Sequence, residues 1–149
     1  MPELADVREP STLRLTRTVA APRERVFRAW TEAEELREWI APDGFEVVSA
    51  QADAHVGGDY RIGFRGLDRD VTYVVGTYIE VEHPRRLAFT WLYEGSSRAE
   101  TTVTVEFNET TGGTEIVLTH EPFVTPDFLS LHQIGWTSGL EHLAALVRT

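Results

Sequence analysis

The chain has 149 residues, 42% of them apolar, with no cysteine; all 14 basic residues are arginine, and the net charge is −10. Without cysteine there are no disulfides, thiolate nucleophiles or cysteine metal sites, and without lysine there is no Schiff base or Walker-type phosphate lysine. The negative field repels phosphate backbones and acidic lipid surfaces, so nucleic acid and membrane insertion are not expected.

The length fits one domain, expected over residues 12–149 behind a flexible polar tail at 1–11. "MPELADVREPSTLRL" is acidic and lacks the apolar core of a signal peptide. No apolar run approaches the roughly 20 residues of a membrane helix, so the expected location is cytoplasmic.

"TLRLTRTVA" alternates, placing Leu13, Leu15, Arg17 and Val19 on one face of a first strand. In "APRERVFRAWTEAEELREWIAPDG", Pro22 suits a first helical turn, and Val26, Phe27 and Trp30 have helical spacing. Thr31, with Glu34 three residues on, has the pattern of a capping box for a second short helix. Leu36, Trp39 and Ile40 form its apolar stripe, and "PDG" ends it.

Six strands follow. They are "FEVVSAQA" (45–52), "DYRIGFRG" (59–66), "VTYVVGTYIEVE" (71–82), "RRLAFTWLYEG" (85–95), "ETTVTVEFNE" and "TEIVLTHE". In the fourth of these segments, Leu87, Phe89, Trp91 and Tyr93 share a face. "TGG" separates the last two as a hairpin signal, and the short turns argue for an antiparallel meander. The chain ends on a long helix, "TPDFLSLHQIGWTSGLEHLAALVR", capped by Thr125 or Asp127.

That order gives an α+β fold in which a curved seven-stranded antiparallel sheet wraps around the C-terminal helix. Taking Trp136 as the centre of the helix's buried arc, Leu129, Leu140, Leu143 and Val147 fall within about 40° of it. His132 lies inside the same arc. Gly135 and Gly139 flank it, although each glycine should cost a helix roughly 1 kcal/mol relative to alanine. They thin one edge of the helix, for packing against the sheet or for a ligand.

The sheet's inner face is too aromatic to be matched by one helical stripe, which predicts a cavity between the two. Trp39, Tyr60, Phe64, Phe89, Trp91, Phe128 and Trp136 are the candidate rings of its wall, beside Trp30 and Phe123. Tyr78, His120 and His132 are the candidate polar groups. His132 would be the polar reader of a ligand, so His132→Leu should leave the fold intact and weaken a polar-headed ligand. His120 and His132 are expected to meet in space, more readily as satisfied structural histidines than as a metal pair.

For catalysis the signals are sparse. No G-x-S-x-G surrounds any of the six serines, "VGGDYRIG" enters a strand rather than a helix, and no tight metal spacing occurs. Acid–base work would fall to His132, His120, Tyr60 or Tyr78, with Arg61 or Arg65 polarising a carbonyl. No cofactor is implied.

The segments "APRERVFRAWTEAEELREWIAP", "VGGDYRIGF", "GTYIEVEHPRRLAFTW", "ETTVTVEFNETTGGTEIVLTHEPF" and "GWTSGLEHLAALV" together resemble the START-like, SRPBCC superfamily. The closest resemblance is to the AHSA-like branch, related to the C-terminal domain of the heat shock protein 90 ATPase activator. It covers about residues 12 to 148. The resemblance implies a helix-grip (START-like, Bet v-like) fold. It also implies binding of a hydrophobic small molecule such as a lipid, a polyketide or a flavonoid-like aromatic. Relatives include cyclases, which keeps an enzyme of the polyketide cyclase or aromatase type as an alternative. A chaperone-cofactor role in stress response is a further one, although the namesake carries an N-terminal domain that this chain has no room for. A homodimer is compatible with the resemblance.

Overall fold

The computed structural model describes residues 11–148. The elements run β1 (Ser11–Val19), α1 (Arg23–Thr31), α2 (Ala33–Trp39), β2 (Glu46–Ala52), β3 (Asp59–Arg65), β4 (Val71–Glu82), β5 (Arg86–Tyr93), β6 (Thr101–Thr110), β7 (Gly113–Phe123) and α3 (Pro126–Val147). Ser11 therefore already belongs to β1, and the rest of the tail expected at 1–11 lies outside the described residues.

All seven strands form one antiparallel sheet in the order β1-β7-β6-β5-β4-β3-β2. β2 to β7 is the meander that the turn signals anticipated. β6 turns into β7 at Gly112, whose φ of 85° lies in the left-handed region where only glycine is at ease. β1 joins at the far end against β7, after the two short helices have carried the chain across to β2. This is the helix-grip fold: a curved sheet, two short helices after the first strand, and a long helix gripped by the sheet.

The period-2 pattern decides which face is buried. Ile62, Val74, Leu87, Val103, Val105, Ile116 and Leu118 are all at most 1% exposed and turn toward the helices. From α3 come Trp136, Leu140, Leu143 and Val147, the arc drawn from helical spacing, and all four are buried. Each such leucine contributes roughly 1.5–3 kcal/mol by leaving water. Thr125 caps α3, its hydroxyl accepting from the Phe128 N–H, and Pro126 opens the first turn.

Two local expectations are corrected. Thr31 does not cap α2. It is the last residue of α1, and its hydroxyl donates back to the carbonyl of Phe27 at 3.1 Å. Glu32 is the N-cap residue of α2, with no side-chain bond, because a single extended residue between two helices leaves no room for a capping box. The glycines of α3 face α2 and the turn after it rather than the sheet. A Cβ on Gly139 would stand 3.5 Å from the Ile40 carbonyl oxygen and 3.6 Å from that of Trp39; one on Gly135 would stand 3.5 Å from Pro42 Cγ. The thinned edge of α3 thus receives the end of α2 and the turn after it.

Candidate functional site

The sheet's aromatic residues gather into two groups joined by Trp30. In the first, Tyr60, Tyr78 and Phe89 surround one another with ring centroids 5.5–6.0 Å apart. The Tyr60 hydroxyl donates to the Thr90 carbonyl. Burial holds the Tyr60 phenol well above its ordinary pKa and pushes that of Tyr78 up to about 12. Both hydroxyls are therefore held in the protonated form. Phe64 is buried in the same core, and Trp39 is locked by its indole N–H donating to Ala29 O at 2.8 Å.

The second group lies where β5 and β7 meet the first half of α3. Trp91, His120, Phe123, Phe128, His132 and Trp136 meet here, with Tyr93 at its edge. Neighbouring ring centroids stand between 4.4 and 6.4 Å apart. Trp136 stacks on Trp30, 5.9 Å away, which links the two groups. His120 and His132 do meet, their ring centroids 5.3 Å apart and nearly perpendicular.

The hydrogen bonds fix the protonation of both histidines. The Trp136 indole N–H donates to His120 Nδ1 at 3.0 Å, so Nδ1 carries the lone pair and Nε2 the proton. Nε2–H donates to Thr101 Oγ1 at 2.7 Å, and the Thr101 hydroxyl donates on to the Trp91 carbonyl at 3.2 Å. Thr101 is available because the β5–β6 register sets it opposite Trp91. A second proton at Nδ1 would face an N–H, and burial, aided by His132, drives the His120 pKa down to about 3.

His132 has the opposite tautomer. Its Nδ1 sits 2.8 Å from the Phe128 carbonyl, which can only accept, so Nδ1 bears the proton. Nε2 is then the acceptor for the Tyr93 hydroxyl at 2.6 Å. Burial lowers the His132 pKa, against an upward pull from the Phe128 carbonyl, and Arg98 adds a lesser downward contribution. All four imidazole nitrogens thus have protein partners. No group of three or more metal-ligating side chains occurs among the described residues.

Not every buried donor in the cluster is satisfied. The indole nitrogens of Trp91 and Trp30 are buried and unpartnered. The Trp91 N–H still favours the anionic form of the Tyr93 hydroxyl, whose pKa is nonetheless raised by burial. The cluster is closed toward solvent by half-buried Phe128 and Tyr93. Arg98, from the β5–β6 loop, lays its guanidinium 4.0 Å from the Phe128 ring centroid.

Arg61 and Arg65 do not reach either group. Arg61 forks onto Glu94 and lies over Tyr73, and Arg65 pairs with Glu46, all on the outer face. Among the described residues, two surface hollows stand out. One of about 570 Å³ lies between Ala21–Arg23 and the β6–β7 hairpin, and one of about 430 Å³ lies on the outer face around Arg61, Thr77 and Leu92. Neither is the cavity expected between α3 and the sheet, where the expected lining rings touch one another.

The sequence reading missed Tyr93, Thr101 and Arg98 as members of this site. Tyr93 was within reach, since it shares the face of Trp91 on β5. Thr101 and Arg98 carry no local signal; only strand register and loop path bring them in.

Residues 20–148 match the family model described as "Activator of Hsp90 ATPase homolog 1-like protein". The chain belongs to this family. The AHSA-like assignment agrees with the solved structures it resembles. A Chromobacterium violaceum protein is 29% identical, with a TM-score of 0.85, over 93% of this chain and 97% of that one. The AHSA1 protein of Silicibacter pomeroyi is 25% identical, with a TM-score of 0.82, over 91% and 96%. A Rhodobacter sphaeroides protein is 25% identical, with a TM-score of 0.79, over 94% and 95%. No curated protein matches the chain. No helix of this AHSA-like chain, among the described residues, is long and apolar enough to cross a membrane.

Proposed function

We propose that this AHSA-like protein binds a hydrophobic small molecule, aromatic, polyketide-like or acyl, between α3 and the inner face of the sheet. The observation that carries the reading is the ring cluster at the α3 end. Its outer members, Phe128 and Tyr93, are half-buried side chains, and the loop residue Arg98 lies on the Phe128 ring. Outward rotation of Phe128 opens a slot walled by Trp91, Phe123 and Trp136, and flat apolar bodies fit such walls. The remaining candidate residues, Trp39, Tyr60, Phe64, Tyr78 and Phe89, line the deeper part of the same interior.

Binding is favoured over catalysis by the state of the polar groups. His120 and His132 are neutral, each with both nitrogens engaged, and Tyr60 and Tyr78 are held protonated. A general base needs a free lone pair within reach of a substrate proton.

The test is a thermal-shift panel of flavonoids, fatty acids and phenols. A ligand at a hundredfold excess over its Kd adds roughly 2.7 kcal/mol of stability. The melting temperature should rise by several degrees, and the rise should disappear when Phe123→Ala reshapes the slot. A panel in which no compound raises the melting temperature overturns the reading.

A further inference from the structure

We infer that the bound molecule is an acid. Its carboxylate is held at the α3 end of the ring cluster by the Trp91 indole N–H and the Arg98 guanidinium, beside the Tyr93 hydroxyl. This rests on the binding reading above and adds the chemical class of the ligand's polar end.

The first argument is a donor count. Trp91 is 6% exposed, and its N–H is buried without an acceptor. A buried donor forfeits its hydration unless something accepts from it. The imidazole nitrogens nearby are all engaged: His120 receives from Trp136 and gives to Thr101; His132 gives to Phe128 and receives from Tyr93. The Tyr93 oxygen feels the Trp91 N–H but is not within hydrogen-bond geometry of it, so the indole still lacks a full acceptor. A ligand hydroxyl or amine that must donate finds no free lone pair on the histidines, whereas an acceptor oxygen completes Trp91.

The second argument is the sign of the charge. Arg98 has no carboxylate partner among the described residues, while Arg61, Arg65 and Arg86 are each paired with glutamate. It rests on the Phe128 ring at the mouth of the cluster. Its field reaches inward, opposing the burial that raises the Tyr93 pKa and adding to the burial that lowers that of His132. In a chain of net charge −10, a cation without an anionic partner at the mouth of an apolar site selects a single negative charge. A phosphate monoester would bring a second negative charge for which one guanidinium supplies no counter-charge. A carboxylate offers two oxygens, one for the buried indole N–H and one for the guanidinium, which gives up the ring face when Phe128 moves.

The experiment is calorimetric titration with 2-naphthoate, dodecanoate and their methyl esters against the wild type and Arg98→Gln. Arg98 is an exposed loop residue, so the variant should keep the fold. The acids should bind the wild type about tenfold tighter than the esters, and Arg98→Gln should bring acid and ester to equal affinity. In a ¹⁵N–¹H spectrum, the Trp91 indole cross-peak, assigned through Trp91→Phe, should move downfield with added 2-naphthoate. Equal affinity of acid and ester for the wild type overturns the acid assignment and leaves the binding reading standing; so does an Arg98→Gln variant that keeps the preference. If neither acids nor esters bind, both are overturned.

Discussion

The Tyr93 hydroxyl, 2.6 Å from His132 Nε2, is the donor in that bond, because the only proton on the His132 ring is committed to the Phe128 carbonyl. The bond ties the end of β5 to the second turn of α3. Both nitrogens of the imidazole are thereby engaged by the protein.

Tyr93→Phe therefore leaves a buried nitrogen lone pair without a donor and should cost about 1–3 kcal/mol. In a His132→Leu background the same substitution should cost close to nothing, since both partners are then apolar. Urea unfolding of the four proteins in a double-mutant cycle measures the coupling. Equal costs in the two backgrounds would show that the bond contributes nothing to stability.

His120 should make stability fall on acidification. Its pKa is depressed from 6.5 to about 3 by burial, so below pH 6.5 the unfolded chain binds a proton that the folded chain refuses. The contribution is complete above pH 6.5 and is lost as the pH falls toward 3, by roughly 1.4 kcal/mol for each unit at most. His132 is shifted the same way. His120→Gln should lower stability at pH 7 and flatten the dependence between pH 6.5 and 4, which denaturant midpoints at several pH values would reveal. A variant curve parallel to the wild type would place the acid sensitivity in other groups.

Gly139→Ala should be neutral or stabilising by up to ~1 kcal/mol, because a methyl group there meets the Ile40 and Trp39 carbonyls at ordinary contact distance while alanine favours the helix. Gly139→Leu should cost several kcal/mol, since α2 must move to admit it. Thermal melts of both variants separate a need for closeness from a need for flexibility. A destabilised alanine variant would show that the fit at Gly139 is tighter than these contacts.

Much of this architecture could be read from side-chain periodicity alone. The alternation of Leu87, Phe89, Trp91 and Tyr93 determines which face of β5 is buried, and the spacing of Trp136, Leu140 and Leu143 sets the phase of α3. What periodicity cannot supply is register and exit geometry. Thr101 reaches His120 only because β6 pairs with β7 in the register that sets Val103 opposite His120. Thr31 matches a capping box as text, yet its hydroxyl finds a carbonyl one turn back inside α1. Gly135 and Gly139 announced a close approach without naming the neighbour, since a missing side chain carries no direction. Arg98 is a loop residue whose place over Phe128 follows from the path of the turn after β5.

The pairing of β1 with β7 has a consequence for how the molecule is made. Leu13 lies beside His120 and Val19 beside Thr114, partners about a hundred residues apart, so this pairing carries a large loop-closure entropy and slows folding. On the ribosome, β1 emerges before the other six strands and must stay unpaired until β7 has followed. The six-strand meander can zip up by nearest-neighbour hairpins in the meantime, leaving the outer edge of β7 open. Between those two events the nascent chain presents an apolar edge that another molecule could occupy. The alternating charges of β1, with Arg14 and Arg17 between its leucines and Val19, keep that waiting strand in solution until its partner arrives.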